Sequence, residues 1–195
     1  VIDDAYIEAI RATLPELPDT RGARFMSEFG LSEYDADVLV ATREMADYFE
    51  TTAKLSGDAK LAANWVSQDL QALLNKYGWE LDESPIQAER LAMLIQRIKD
   101  NTISGKIAKT VFDAMLDDSS DVDAIIEAKG LKQVTDSGAL ESLVDKVIAE
   151  NPDQAQQYRD GKVQVIGFLV GQCMQLSKGK ANPAQVNEIL RGKLS

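Results

Sequence analysis

The sequence predicts an all-α protein built as two helical-bundle domains. Three observations predict it. Apolar residues recur at intervals of three and four, as in Ala36, Leu39, Val40, Ala46 and Phe49, and again in Leu91, Leu94, Ile95 and Ile98. That spacing places them on one face of a helix. Capping residues and glycines divide these runs at helix-sized intervals. No segment alternates apolar and polar residues at period two with β-branched enrichment, so no sheet is expected.

The elements follow in order. A short first helix is broken by Pro15 and Pro18, whose rings cannot sit in a helix interior. Gly30 stops the next helix. Ser32, with Asp35 in the first turn, starts another. At Gly57-Asp58 one helix stops on the glycine and the next starts on the aspartate. Leu61, Trp65, Leu70 and Leu74 then mark a helix with looser spacing. Ser84-Pro85, Asn151-Pro152 and Asn182-Pro183 each place a capping side chain before a proline at the first helical position, where the missing N–H costs nothing. Ser104 is expected to cap the helix carrying Ile107, Val111, Phe112 and Met115. Gly130, Gly161 and Gly179 read as further C-terminal stops. The total is about ten helices, most of roughly 8–20 residues, with connections of about 2–8 residues.

A composition that is 45% hydrophobic and 27% charged is too apolar for disorder. The longest apolar stretch, Val163 to Met174, is interrupted by Gln164, Gly167, Gly171 and Gln172 and is too short to cross a bilayer. The opening Val1-Ile2-Asp3-Asp4 lacks the basic start and apolar run of a signal peptide. It also lacks an initiator methionine, which points to a piece of a longer protein. No membrane association and a cytoplasmic location are expected.

The chemistry available is narrow. The chain has no histidine, which removes the commonest general base, every Ser-His or Cys-His pair and the commonest metal ligand. Its one cysteine, Cys173, excludes an internal disulfide and reads as a small core residue beside Met174. Asp117-Asp118, Asp121 and Asp123 lack the alternating ligands, central glycine and terminal glutamate of a calcium loop, so they are read as a solvated connection and no metal site is assigned. Ser104-Gly105-Lys106 is not a phosphate loop, because Asp100 stands where the first glycine belongs and Ile107 follows the lysine. No catalytic residue and no cofactor are assigned to this chain.

Charge divides the chain unevenly. The net charge is −11, but residues 1–128 carry −13 and residues 129–195 carry +2. The flip falls at Ala128-Lys129-Gly130-Leu131. It sets the expected boundary between a domain of residues 1–128 and a tail domain of residues 129–195. From Tyr158 onward Arg159, Lys162, Lys178, Lys180, Arg191 and Lys193 face only Asp160 and Glu188. Any phosphate contact should therefore come from this tail. Gly167 and Gly171, four apart, form a small-residue strip read as a close helix-packing surface, with ligand approach as the alternative.

Several strings carry a family resemblance. They are Leu14-Pro15-Glu16-Leu17-Pro18, Gly30-Leu31-Ser32 with Tyr34-Asp35-Ala36, Tyr48-Phe49-Glu50, and the run from Gly57 to Val66. They continue with the run from Thr102 to Lys106, Lys129-Gly130-Leu131-Lys132-Gln133, the run from Gly167 to Gln172, and the run from Lys178 to Pro183. In this order they resemble the C-terminal region of the B subunits of aspartyl/glutamyl-tRNA amidotransferases, over about residues 14–183. The last two thirds also resemble free-standing YqeY-like proteins. The resemblance implies a three-subunit parent that converts Glu-tRNA(Gln) or Asp-tRNA(Asn) to Gln-tRNA(Gln) or Asn-tRNA(Asn), with an amidase A subunit and a small C subunit as partners. ATP and Mg²⁺ act in a B-subunit domain with no counterpart here. It also implies that residues 1–128 are a helical linking domain and residues 129–195 a YqeY-like tail that grips tRNA(Gln) or tRNA(Asn). The tRNA-binding role falls on Lys129, Lys132, Lys178 and Lys180 because their strings match. Arg159 and Lys162 are added from charge alone. The competing reading is a helical protein-interaction module that never touches RNA.

Overall fold

The computed structural model describes residues 4–134 and 137–195. The opening Val1-Ile2-Asp3, weighed above as a chain start, lies outside them. Among the described residues the chain is helical throughout. Extended pairing is limited to one isolated parallel bridge between Val134 and Ala181. It divides into two compact units, Val1–Ile95 and Gln96–Ser195.

The first unit holds α1 (Asp4–Thr13), α2 (Pro18–Phe29), α3 (Glu33–Leu39), α4 (Arg43–Ser56), α5 (Ala59–Asn64) and α6 (Gln71–Tyr77). Its core is aromatic. Phe25 and Phe49 meet edge-on with centroids 4.9 Å apart, and Phe29 lies 5.6 Å from Phe49. Ser32 and Asp58 accept the backbone N–H groups of Asp35 and Leu61, as their positions predicted. The loose spacing of Leu61, Trp65, Leu70 and Leu74 has a structural cause. Trp65–Leu70 is a π-helical segment joining α5 to α6 without a break. Its wider turn lets two residues five apart, Trp65 and Leu70, both be buried.

Ser84 does not cap a helix beginning at Pro85. Its hydroxyl accepts from the Ile86 N–H, while the Tyr48 hydroxyl donates to the Ile86 carbonyl at 2.8 Å. That carbonyl is thereby held by a side chain of another helix, and α7 (Ala88–Lys99) starts later. Burial pushes the Tyr48 hydroxyl above its ordinary value, so it remains a donor.

An ion cluster covers the aromatic core. Glu50 receives Arg21 at 2.7 Å, Arg24 at 2.9 Å and Lys54 at 2.7 Å. Arg24 also reaches Glu16 and Glu28, and Arg21 reaches Asp47. Both guanidinium groups lie over the Phe25 ring.

The second unit begins inside α7 and contains α8 (Gly105–Ala114), α9 (Val122–Ala128), α10 (Ser137–Glu150), α11 (Pro152–Arg159), α12 (Ile166–Leu176) and α13 (Pro183–Leu194). A core drawn wholly from residues 140–194 joins Leu140, Val144 and Val147 of α10 to Leu169 and Cys173 of α12 and to Val186, Leu190 and Leu194 of α13. The expected boundary at residues 128 and 129 lies in this unit, between the end of α9 and that core. Cys173 is fully buried, and burial pushes its thiol up to about 11. Asn151 does not cap α11 through its side chain. The amide turns back and donates to the Val147 carbonyl at 2.9 Å, closing α10 instead. Asn182 does cap α13, accepting from Gln185.

Glu50 sets a pH dependence. The hydrogen bond from Arg24, reinforced by Lys54 and Arg21, outweighs burial and holds its carboxyl down to about 2 from an ordinary 4.5. A depressed value in the folded state stabilises fully above the ordinary value and is lost as pH falls toward the folded one. Between pH 7 and pH 3 this carboxylate should account for about 2 kcal/mol of lost stability. Glu50→Gln should lower stability at pH 7, and its gap to the parent chain should narrow by about 2 kcal/mol on going to pH 3 in urea unfolding. A gap that stays constant across that range would contradict the assignment.

Candidate nucleic-acid interface

Three connections of the second unit meet at one place. The first is the entry to α8, where Ser104 accepts the Ile107 N–H and leaves Lys106 exposed in the first turn. The second runs from the end of α9 through Lys129, Gly130 and Lys132 to Val134. The third is the turn Ser177–Ala181 between α12 and α13. Backbone bonds tie them together: the Gln133 N–H donates to the Thr102 carbonyl at 2.5 Å and the Val134 N–H to the Lys180 carbonyl at 2.7 Å.

Each connection is shaped by its own sequence. Gly130 has φ 60°, in the left-handed region. The Lys180 ammonium lies 3.7 Å from where a Cβ on Gly130 would stand, so the second and third connections also touch through side chains. In the third, Lys178 (φ 53°) and Gly179 (φ 77°) are both left-handed. The Gly179 N–H reaches back to the Met174 carbonyl at 2.8 Å, and Ser177 Oγ accepts the Ala181 N–H at 3.1 Å. A helix end closed in this way is ordinary for glycine. For Lys178 it is strained, because its Cβ crowds the backbone in that region.

Lys129, Lys132 and Lys178 are exposed and Lys180 is half-buried. Among the described residues, no ion pair engages any of these four or Lys106. Lys193, by contrast, is held by Asp145 at 2.8 Å, which raises its pKa and withdraws it from the set. Lys132 shares the lining of a cavity of about 500 Å³ with Asp123 and Glu127. Asp123 is already paired with Arg97 at 2.6 Å. That pairing and the hydrogen bond within the 118–120 turn account for part of the aspartate cluster. No group of three or more acidic or sulfur ligands is arranged for a metal among the described residues.

The six residues singled out from the sequence therefore separate into two groups. Lys129, Lys132, Lys178 and Lys180 share the joined connections. Arg159 and Lys162 are exposed at the other end of α12, and an 11-residue helix spans about 16 Å. Sequence reasoning misses Lys106: its string enters as a rejected phosphate loop and as part of the family resemblance, and the charge count favours the tail. The glycine strip on α12 is corrected. Gly167 and Gly171 are exposed, with nothing within 4 Å of an added Cβ, so no helix among the described residues packs there. Phe168 beside them is also exposed. The apolar side of α12, Leu169 and Cys173, faces the core instead, and the glycines lie on the opposite side.

Comparison with known proteins follows the same extent of chain. A model of the GatB domain matches residues 47–194. The chain is 58% identical over 198 residues to the B subunit of the aspartyl/glutamyl-tRNA(Asn/Gln) amidotransferase of Pseudomonas syringae pv. tomato and, at the same identity, to that of Ectopseudomonas mendocina. It is 57% identical over 199 residues to the corresponding protein of Azotobacter vinelandii. In each case all of this chain aligns with 41% of the relative, so it spans about two fifths of their length. No helix among the described residues is long and apolar enough to cross a membrane.

The strained lysine makes a stability prediction. Lys178→Gly relieves the crowding but adds chain freedom to the unfolded state, so the two effects nearly cancel, to within about 1 kcal/mol. Gly179→Ala has no such offset and should destabilise by about 1–2 kcal/mol. Thermal unfolding followed by circular dichroism compares them. A Lys178→Gly protein that melts as early as Gly179→Ala would show that the lysine side chain is needed for the turn itself.

Proposed function

This chain belongs to the GatB domain family, and from that premise we propose that it is the tRNA-binding, non-catalytic part of a tRNA-dependent amidotransferase B subunit. The parent would be a glutamine-dependent, ATP-dependent ligase that amidates Glu-tRNA(Gln) or Asp-tRNA(Asn) in the cytoplasm, together with its A and C subunits. The names of the relatives support that parentage. The observation that carries the RNA-binding role is the convergence of Lys129, Lys132, Lys178 and Lys180 on two of three bonded connections, without carboxylate partners among the described residues.

The proposed action is positional. Duplex RNA is recognised mainly through its phosphates, 2′-hydroxyls and shape, which ammonium groups on a rigid surface can match without reading sequence. Lys129, Lys132, Lys178 and Lys180 would neutralise phosphates at one end of α12, and Arg159 and Lys162 at the other. Between them the exposed glycines Gly167 and Gly171 let a backbone approach closely, which supports the ligand-approach alternative for that strip. ATP, Mg²⁺ and the amide transfer belong to the part of the parent that this chain does not include. Residues 129–195, with their own core, would act as the RNA-holding tail, and residues 1–128 as the link.

A second reading, a protein-interaction module, draws on α1. None of its side chains is buried, and Tyr6, Ile10 and Leu14 are exposed along one side. Filter binding of a tRNA transcript to the whole chain at 50 and 200 mM salt separates the readings. The parent chain should bind more weakly at the higher salt. Lys178→Glu combined with Lys180→Glu should weaken binding about tenfold or more at low salt and flatten the salt dependence by roughly two phosphate contacts. Equal binding by the folded double variant would reject these lysines as the interface, and no binding by the parent chain would favour the second reading.

A further inference from the structure

Beside the joined connections lies a cavity of about 390 Å³, between the first turns of α8 and the Ser177–Ala181 turn. Lys106 and Lys178 stand on its lining, one from each side. Ile107, Leu131 and Met174 supply an apolar surface, and Thr110 and Gln175 supply neutral hydrogen-bonding groups. No carboxylate among the described residues lines it. The contrast within the molecule is sharp: the cavity beside Tyr48 is lined by Glu44, Asp47, Glu80, Asp82 and Glu89 and carries no basic residue.

We propose that this cavity takes one unstacked nucleotide of the bound RNA, a refinement that rests on the RNA-binding reading above. Its volume falls in the range of sites that enclose small ligands, about 300–1,000 Å³. Folded RNA offers such nucleotides in its loops and bulges, where bases swing out and lie against side chains. Ile107 is nearly buried and fixed in the α8 core, while Leu131 and Met174 are half-buried. A flat base can therefore lie on a surface that is already dry on one side, and the thioether of Met174 suits a ring edge. Thr110 and Gln175 sit where base or ribose edges need partners. The two ammonium groups then meet the flanking phosphates. The strained conformation of Lys178 fits this role, since it keeps a lysine on the lining at a backbone position that glycine would occupy more easily. Lys106 thereby becomes an RNA-binding residue of α8, outside the tail strings.

Two exposed positions test the proposal on the whole chain with a tRNA transcript. Lys106→Ala removes a rim charge and should weaken binding roughly three- to tenfold, with a salt dependence lower by about one phosphate contact. Thr110→Phe fills the cavity from the surface without changing charge. It should weaken binding about tenfold with the salt dependence unchanged, whereas Thr110→Ser should bind like the parent. Circular dichroism confirms that each variant is folded. Parent-like binding by a folded Thr110→Phe overturns the nucleotide site, whatever Lys106→Ala does. If Lys178→Glu with Lys180→Glu abolishes binding while Lys106→Ala and Thr110→Phe do not affect it, the RNA-binding reading survives and the cavity is empty in the complex. Absence of binding by the parent chain removes both.

Discussion

The basic surface of this protein depends on one short clamp, the turn from Ser177 to Ala181. Its Lys180 carbonyl receives the Val134 N–H, its Ser177 hydroxyl receives the Ala181 N–H, and its Gly179 N–H closes α12. Without the left-handed pair Lys178-Gly179, the chain could not reverse there and bring Lys180 over Gly130. Two pairs of lysines distant in sequence are brought together chiefly by the backbone bond that joins their connections. Ammonium groups repel one another, so a scaffold must fix them before a polyanion arrives.

The same economy explains what the chain lacks. A surface that neutralises phosphate needs flexible cations at fixed roots. It needs no group that titrates near neutrality, and the absence of histidine is no handicap for it. Acidic side chains are placed where they serve structure: Glu50 gathers Arg21, Arg24 and Lys54 over the first unit's aromatic core, and Asp123 holds Arg97. Each such pairing satisfies a cation or a carboxylate internally. The charges left without ion-pair partners among the described residues are then the informative ones, and in the second unit they include the lysines of the three joined connections.

Legibility in the sequence follows the range of the interactions. Features set by a few consecutive residues are readable: the caps at Ser32, Asp58, Ser104 and Asn182, the glycine stops, the helical periodicity and the family strings. Features set by a distant partner are not. Ser84 and Asn151 have the right local pattern for caps. Tyr48 holds the backbone beside the first, and the carbonyl of Val147 draws away the side chain of the second. The irregular spacing from Trp65 to Leu70 is visible, but a π-helical segment is too rare to be its first explanation. Spacing assigns Gly167 and Gly171 to packing because it says which residues share a face and not whether anything covers it. Lys106 escapes because net charge summed over a sequence window ignores what folding brings alongside.

The tail's net charge of +2 is small, and the chain's −11 would repel a polyanion if charge were smeared over the surface. Electrostatic contact at ordinary ionic strength is decided within roughly 8–10 Å. On the proposed reading, what a phosphate would meet at that range is Lys178 and Lys106 around a cavity that no described carboxylate lines. Excess negative charge beyond the screening length costs little at the point of contact. On the proposed reading, a local, scaffolded group of lysines lets an acidic protein hold RNA, and the sign of its total charge says little about its partner.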